Sequence, residues 1–129
     1  MSTLNVLIEG TGKTPTIIFE PENGLLEIKG RSIPENSTEF YRPLNEALKK
    51  NTGNMSTSLT VNFQLEYFNT SSSKCILDIL KILASIKNSG ADIIVNWYYD
   101  EDDEDMLESG ENYQEIVNIP FKMVVLPQG

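Results

Sequence analysis

The sequence predicts a mixed α/β fold, one domain spanning residues 1–129, in which an N-terminal β-hairpin leads into helices that alternate with strands on a mixed sheet. Three observations carry this. Pro21-Glu22-Asn23-Gly24 is a turn between two short apolar runs. Ser58–Glu66 puts apolar residues on odd positions and polar ones on even positions, the period of a half-buried strand. Directly after it, Cys75, Ile76, Ile79, Leu80 and Leu83 recur at helical spacing. Helices that alternate with strands imply crossovers, and so a sheet that is parallel in part.

The elements follow in chain order. Residues 4–9 suggest a short first strand. Thr14–Glu20 and Leu25–Gly30 form the hairpin. Ser32–Ser37 breaks the pattern, and Asn36 or Ser37 caps a helix that runs to about Asn51 with Phe40, Leu44, Ala47 and Leu48 on one face. Pro43 lies too far inside for a first-turn proline, so it predicts a kink or a second start. Asn51–Asn54 closes this helix. Strand 58–66 comes next, then a helix that begins after Thr70 and runs to about Asn88, where Gly90 ends it, then strand Asp92–Tyr99. Residues 101–116 predict a short helix weakened by Gly110, and Pro120–Leu126 a last strand.

Composition narrows the function. With 40% hydrophobic residues the chain has material for a core. Its single cysteine, Cys75, excludes an internal disulfide and fits a reducing, cytoplasmic setting. The N-terminus lacks the basic and apolar regions of a signal peptide, and no apolar run approaches the roughly 20 residues of a membrane helix. The absence of histidine removes the commonest general base and metal ligand. The net charge of −9 comes from one segment: nine of the 19 acidic residues lie between Asp100 and Glu115, with no Lys or Arg among them. Such a chain repels nucleic acid and anionic membrane, and the segment is either a solvated face or a docking surface for a basic partner.

Catalytic motifs are missing. Glu9-Gly10-Thr11-Gly12-Lys13-Thr14 ends like a phosphate loop, but Leu7 stands where its first glycine belongs. No base accompanies a nucleophile, and the spacing of Asp100–Asp105 misses the calcium-loop pattern. The expectation is a protein that is no enzyme and holds no metal or cofactor.

Two features remain. Asn69-Thr70-Ser71-Ser72 stands at the handover from strand to helix, where side-chain oxygens cap the helix and where the dipole favours an anion. A hydroxyl there is a plain cap or a phosphorylation switch. The helix it opens is also apolar round more than half its circumference. Either that helix is enveloped, or an outer strip meets a partner, for which Leu77, Leu80, Lys81 and Ala84 are the candidates.

The combination of Pro34-Glu35-Asn36-Ser37, Tyr67-Phe68-Asn69-Thr70-Ser71-Ser72-Ser73-Lys74, Asp78-Ile79-Leu80, Trp97-Tyr98-Tyr99-Asp100, Met106-Leu107-Glu108 and Pro120-Phe121 resembles the SiaC-type regulatory phosphoproteins over nearly the whole chain. The resemblance implies a fold similar to STAS domains and anti-sigma-factor antagonists. It implies that Thr70 is phosphorylated by a cognate Ser/Thr kinase and dephosphorylated by a PP2C-like phosphatase. It implies that the unphosphorylated form binds and activates a diguanylate cyclase. Asn69, Ser71, Ser72, Lys74, Glu35 and Asn36 are then the surroundings of the switch. This chain departs from the family pattern at Tyr98-Tyr99 and in the weight of its acidic run. The competing functions are a partner-switching anti-sigma-factor antagonist and a small-molecule-binding domain.

Overall fold

The computed structural model describes residues 6–50 and 58–126. In chain order they form β1 (Val6–Ile8), β2 (Thr16–Glu20), β3 (Leu25–Ser32), α1 (Ser37–Lys50), β4 (Ser58–Phe68), α2 (Thr70–Asn88), β5 (Asp92–Asp100), α3 (Glu104–Val117) and β6 (Phe121–Leu126). The expected closing turn at Asn51–Asn54 lies outside the described residues.

The strands make one six-stranded sheet in sequence order. The first two pairings are antiparallel, and β3–β4, β4–β5 and β5–β6 are parallel. Each parallel step carries one helix, and three successive crossovers of one hand in one direction stack their helices on one side. Burial agrees. Ile17, Phe19, Leu26, Ile28, Leu59, Val61, Phe63, Ile93, Val95 and Trp97 alternate along their strands and are buried together with α1, α2 and α3. The other sheet face carries the polar half of the alternation, including Asn96, which donates to Asn62 Oδ1 at 2.9 Å.

The hairpin turn is tight. Pro21–Asn23 makes one 3₁₀ turn and Gly24 closes it at φ 67°, a conformation that costs a residue without Cβ nothing. Pro43 does not restart α1, which is one continuous helix from Ser37 to Lys50. Leu44, Ala47 and Leu48 are buried as expected, while Phe40 is only half-buried and Tyr41 takes the fully buried place beside it. Gly110 is no weak point either. It lies against the Trp97 indole, and a Cβ at that position would come to 2.5 Å from Trp97 Cδ1. The glycine lets α3 sit down on β5, and close packing outweighs helix propensity here.

One irregularity positions the site. Between Gly30 and Arg31 the β3–β4 register jumps from Leu65 to Tyr67, so Glu66 is an extra residue in β4. The odd positions up to Leu65 face the core, yet Tyr67 is 53% exposed, and half-buried Phe68 meets the Trp97 ring edge-on. Beyond the bulge Ser32 pairs with Phe68 and is fully buried, aimed at the start of α2.

Candidate functional site

The first turn of α2 is where strand ends, helix starts and buried hydroxyls meet. Asn69 is the N-cap. Its backbone is extended, its N–H donates to Ser32 O at 3.0 Å, and its Oδ1 accepts from Ser72 N at 2.9 Å. Asn36 plays the same part for α1, accepting from Glu39 N at 3.2 Å. The two helix starts touch through Ser37 Oγ and Ser71 Oγ, 2.8 Å apart. The touch brings Glu35 and Asn36, both exposed, to the side of the expected switch.

A hydroxyl donates one hydrogen, which orders the network. Ser72 donates to Ser32 O at 3.0 Å, and Ser32 donates to Ser72 Oγ at 2.8 Å. The Tyr41 hydroxyl, 2.6 Å from Ser32 Oγ, is therefore the donor of that pair. Ser71 donates to Asn69 Oδ1 at 3.2 Å, so Ser37 donates to Ser71. Ser73 donates to Thr70 O at 2.6 Å. From the other flank Tyr113 of α3 donates its hydroxyl to Ser73 O at 2.9 Å. Burial pushes Tyr41 up to about 12, an effect larger than the opposing hydrogen bond with Ser32. Burial likewise pushes Tyr113 up to about 12. Both phenols therefore stay donors, and α1 and α3 each anchor the opening turn of α2.

Of the four consecutive hydroxyls Thr70, Ser71, Ser72 and Ser73, three are held. Thr70 is exposed at the first helical position, and among the described residues its Oγ1 has no partner. Lys74 is exposed one turn on, and first-turn acidic residues are absent.

At 100° per residue, Lys74, Leu77, Lys81 and Ala84 fall within about 40° of Thr70 on the helix wheel. Lys74 and Lys81 are exposed, and Leu77 and Ala84 are half-buried between them. Leu80 does not belong to this stripe. It lies about 80° round the wheel and is fully buried, so it packs the core and offers no exposed surface. α2 is thus nearly enveloped, lying between α1 and α3 over the sheet, and its outward strip is narrow and mostly polar. Cys75 is buried, and burial raises its thiol pKa.

The sequence reading missed Ser32, Tyr41 and Tyr113. Ser32 ends a strand whose inward parity continues from Leu26 and Ile28, a signal visible once the strand is extended past Gly30. The two tyrosines give no such sign. Among the described residues no group of His, Cys, Asp and Glu side chains is arranged to hold a metal ion, and no helix is long and apolar enough to cross a membrane.

Residues 8–126 match the family model of the SiaC family regulatory phosphoproteins. The chain belongs to the SiaC family. An uncharacterized protein of Pseudomonas aeruginosa (strain UCBPP-PA14) is 32% identical over 114 residues, 88% of this chain and 90% of that protein. The crystal structure of apo-SiaC from Pseudomonas aeruginosa superposes with a TM-score of 0.86 at 29% identity, covering 95% of this chain and all of that one. SiaC as solved in complex with the diguanylate cyclase SiaD, whose activator it is, gives 0.87 at 30% identity over 94% and 99% of the two chains. The chain is thus a member of a family of regulatory phosphoproteins rather than an enzyme. The expected mixed sheet with an N-terminal hairpin is the observed one.

Proposed function

We propose that this chain is a phosphorylation-switched adaptor. Unphosphorylated, it binds and activates a signalling enzyme of the diguanylate cyclase kind. Phosphate on Thr70, added by a Ser/Thr kinase and removed by a PP2C-like phosphatase, releases that enzyme. The observation that carries the reading is the free hydroxyl of Thr70 beside three engaged ones. The Pseudomonas aeruginosa relative solved with its cyclase supports the choice of partner.

The physics follows from position. Phosphate adds about −1.5 to −2 charges at pH 7. At the N-terminus of α2 the chain tolerates this charge, because the dipole favours it and Lys74 lies one turn away. A partner seated along Thr70, Lys74, Leu77, Lys81 and Ala84 would desolvate it, at a cost of several kcal/mol, and about 1.4 kcal/mol is tenfold in affinity. A loss of roughly 100-fold or more therefore needs no refolding.

The test is calorimetric titration of a SiaD-type cyclase with the chain before and after stoichiometric phosphorylation, with Thr70→Ala alongside. Thr70→Ala is expected to bind like the unmodified chain and to take up no phosphate. Equal phosphate uptake by Thr70→Ala, or an affinity indifferent to phosphate, overturns the reading.

A further inference from the structure

The bulge at Glu66 opens a hollow of about 200 Å³ beside the site, lined by Glu66, Tyr67, Phe68, Asp103, Asp105, Met106 and Ser109. Its floor is aromatic and thioether. Tyr67 is 53% exposed, Phe68 is half-buried and Met106 is buried. Three carboxylates stand round it and no Lys or Arg lines it. Among the described residues none of the three is in an ion pair. Although α3 starts here, an anion finds no welcome. Asp103 already accepts from Met106 N at 3.0 Å, and Glu104 and Asp105 already complement the dipole. A second hollow of about 160 Å³ shares Glu66 and Asp103 and adds Asp100, with one cation, Lys29, on its wall.

From this we infer that the hollow is the socket for an arginine side chain of the protein partner, an inference that rests on the adaptor reading for the existence of that partner. The volume lies below the roughly 300–1,000 Å³ of ordinary small-molecule pockets, and so suits one inserted side chain. The lining selects which. Carboxylates without a cationic neighbour favour a cation, and aromatic rings at the wall favour one with a flat, weakly hydrated head, which arginine has and lysine lacks. Tyr67 lies three residues before Thr70, so the socket adjoins the stripe where the partner is placed. Buried arginines in pockets of this kind often dominate interfaces.

The probe is N-acetyl-arginine amide, titrated into the isotope-labelled full chain and followed by amide NMR shifts. Saturable shifts confined to Glu66–Phe68 and Asp103–Ser109 are expected. The neutral isostere N-acetyl-citrulline amide should give none, and the lysine amide weaker ones. The double variant Glu66→Gln, Asp105→Asn keeps the Asp103 cap and should bind at least about fivefold more weakly with an unchanged fold. Equal shifts with citrulline amide, shifts spread evenly along 100–115, or tighter binding of free arginine with its α-carboxylate would each overturn the socket. No phosphate and no cyclase enter this titration, so its failure is separate from failure of the Thr70 switch.

Discussion

α2 and α3 begin in the same way and carry opposite charges. Each starts close after a parallel strand, β4 or β5, and each is capped by a side-chain oxygen, from Asn69 or from Asp103. The first turn of α2 has hydroxyls and no acidic residue, whereas that of α3 has Glu104 and Asp105 behind an acidic cap. The dipole of α3 is permanently complemented. That of α2 is left without an acidic complement beside the exposed Thr70, and its opening turn is tied to β3, α1 and α3 through Ser32, Ser37 and Tyr113. A helix start that is rigid, neutral and exposed at one hydroxyl can take a charge without moving. On the adaptor reading, a phosphate there would change what the surface offers and leave the fold alone.

The largest expected effect tests the anchoring. Tyr41 and Tyr113 hold their protons to about 12 in the folded chain, against a usual tyrosine value near 10. A raised folded-state value means that the unfolded chain loses these protons first. The stabilisation is whole below about pH 10 and is lost as pH climbs toward about 12. For the more deeply buried Tyr41 the whole fall is on the order of 2 kcal/mol, and for Tyr113, partly reached by solvent, it is smaller. Denaturant melts between pH 8 and 12 should show it, and Tyr41→Phe with Tyr113→Phe should flatten it. An unaltered slope in the double variant would mean that the fold does not keep these phenols protonated.

Next in size is the seat of α3. Gly110→Ala drives a Cβ into the Trp97 ring and should cost about 1–3 kcal/mol, readable as a lowered melting temperature. Ser71→Ala, on the outer side of α2, should cost far less. Equal losses would erase the contrast between a helix fixed by packing and one fixed by hydrogen bonds.

The sequence made some of this legible and hid the rest for physical reasons. Strand period, turn chemistry and caps are local, so the hairpin, α2, β5 and the cap at Asn69 could be read from neighbouring residues. Thr70 was set apart from its neighbouring hydroxyls only by the family resemblance. The β4 bulge, the Gly110–Trp97 contact and the Tyr41–Ser32–Ser72 chain join residues far apart in sequence, and no period records them. Leu80 shows the limit in the other direction. Its place on a wide apolar arc could not say which part of the arc faced outward, and three-dimensional cover by α1 and α3 decided it.

The caps come third. Asn69→Ala should cost about 0.5–2 kcal/mol, since Ser72 N and Ser71 Oγ both lose their acceptor. Asp103→Ala should cost less, because the loss of the Met106 N–H bond is offset by relief among crowded carboxylates. Raising salt should narrow the gap by screening that repulsion. Chemical denaturation of both variants at low and high salt measures it, and a larger loss for Asp103→Ala would contradict the charge asymmetry.

The smallest effect is the most diagnostic. Thr70→Asp places a permanent carboxylate in the turn of α2 that lacks one, where the dipole and Lys74 four residues on both favour it. The chain should gain about 0.3–1 kcal/mol of stability, fading at high salt. The same substitution should weaken cyclase binding, though less than phosphate does, because a carboxylate brings less charge and fewer acceptor oxygens. Stability and affinity then move in opposite directions, which partial unfolding cannot produce. Thermal melts and binding titrations on one preparation read both. If Thr70→Asp is destabilised and binds weakly, the site acts through the fold, and the picture of a rigid helix start whose surface alone is switched gives way.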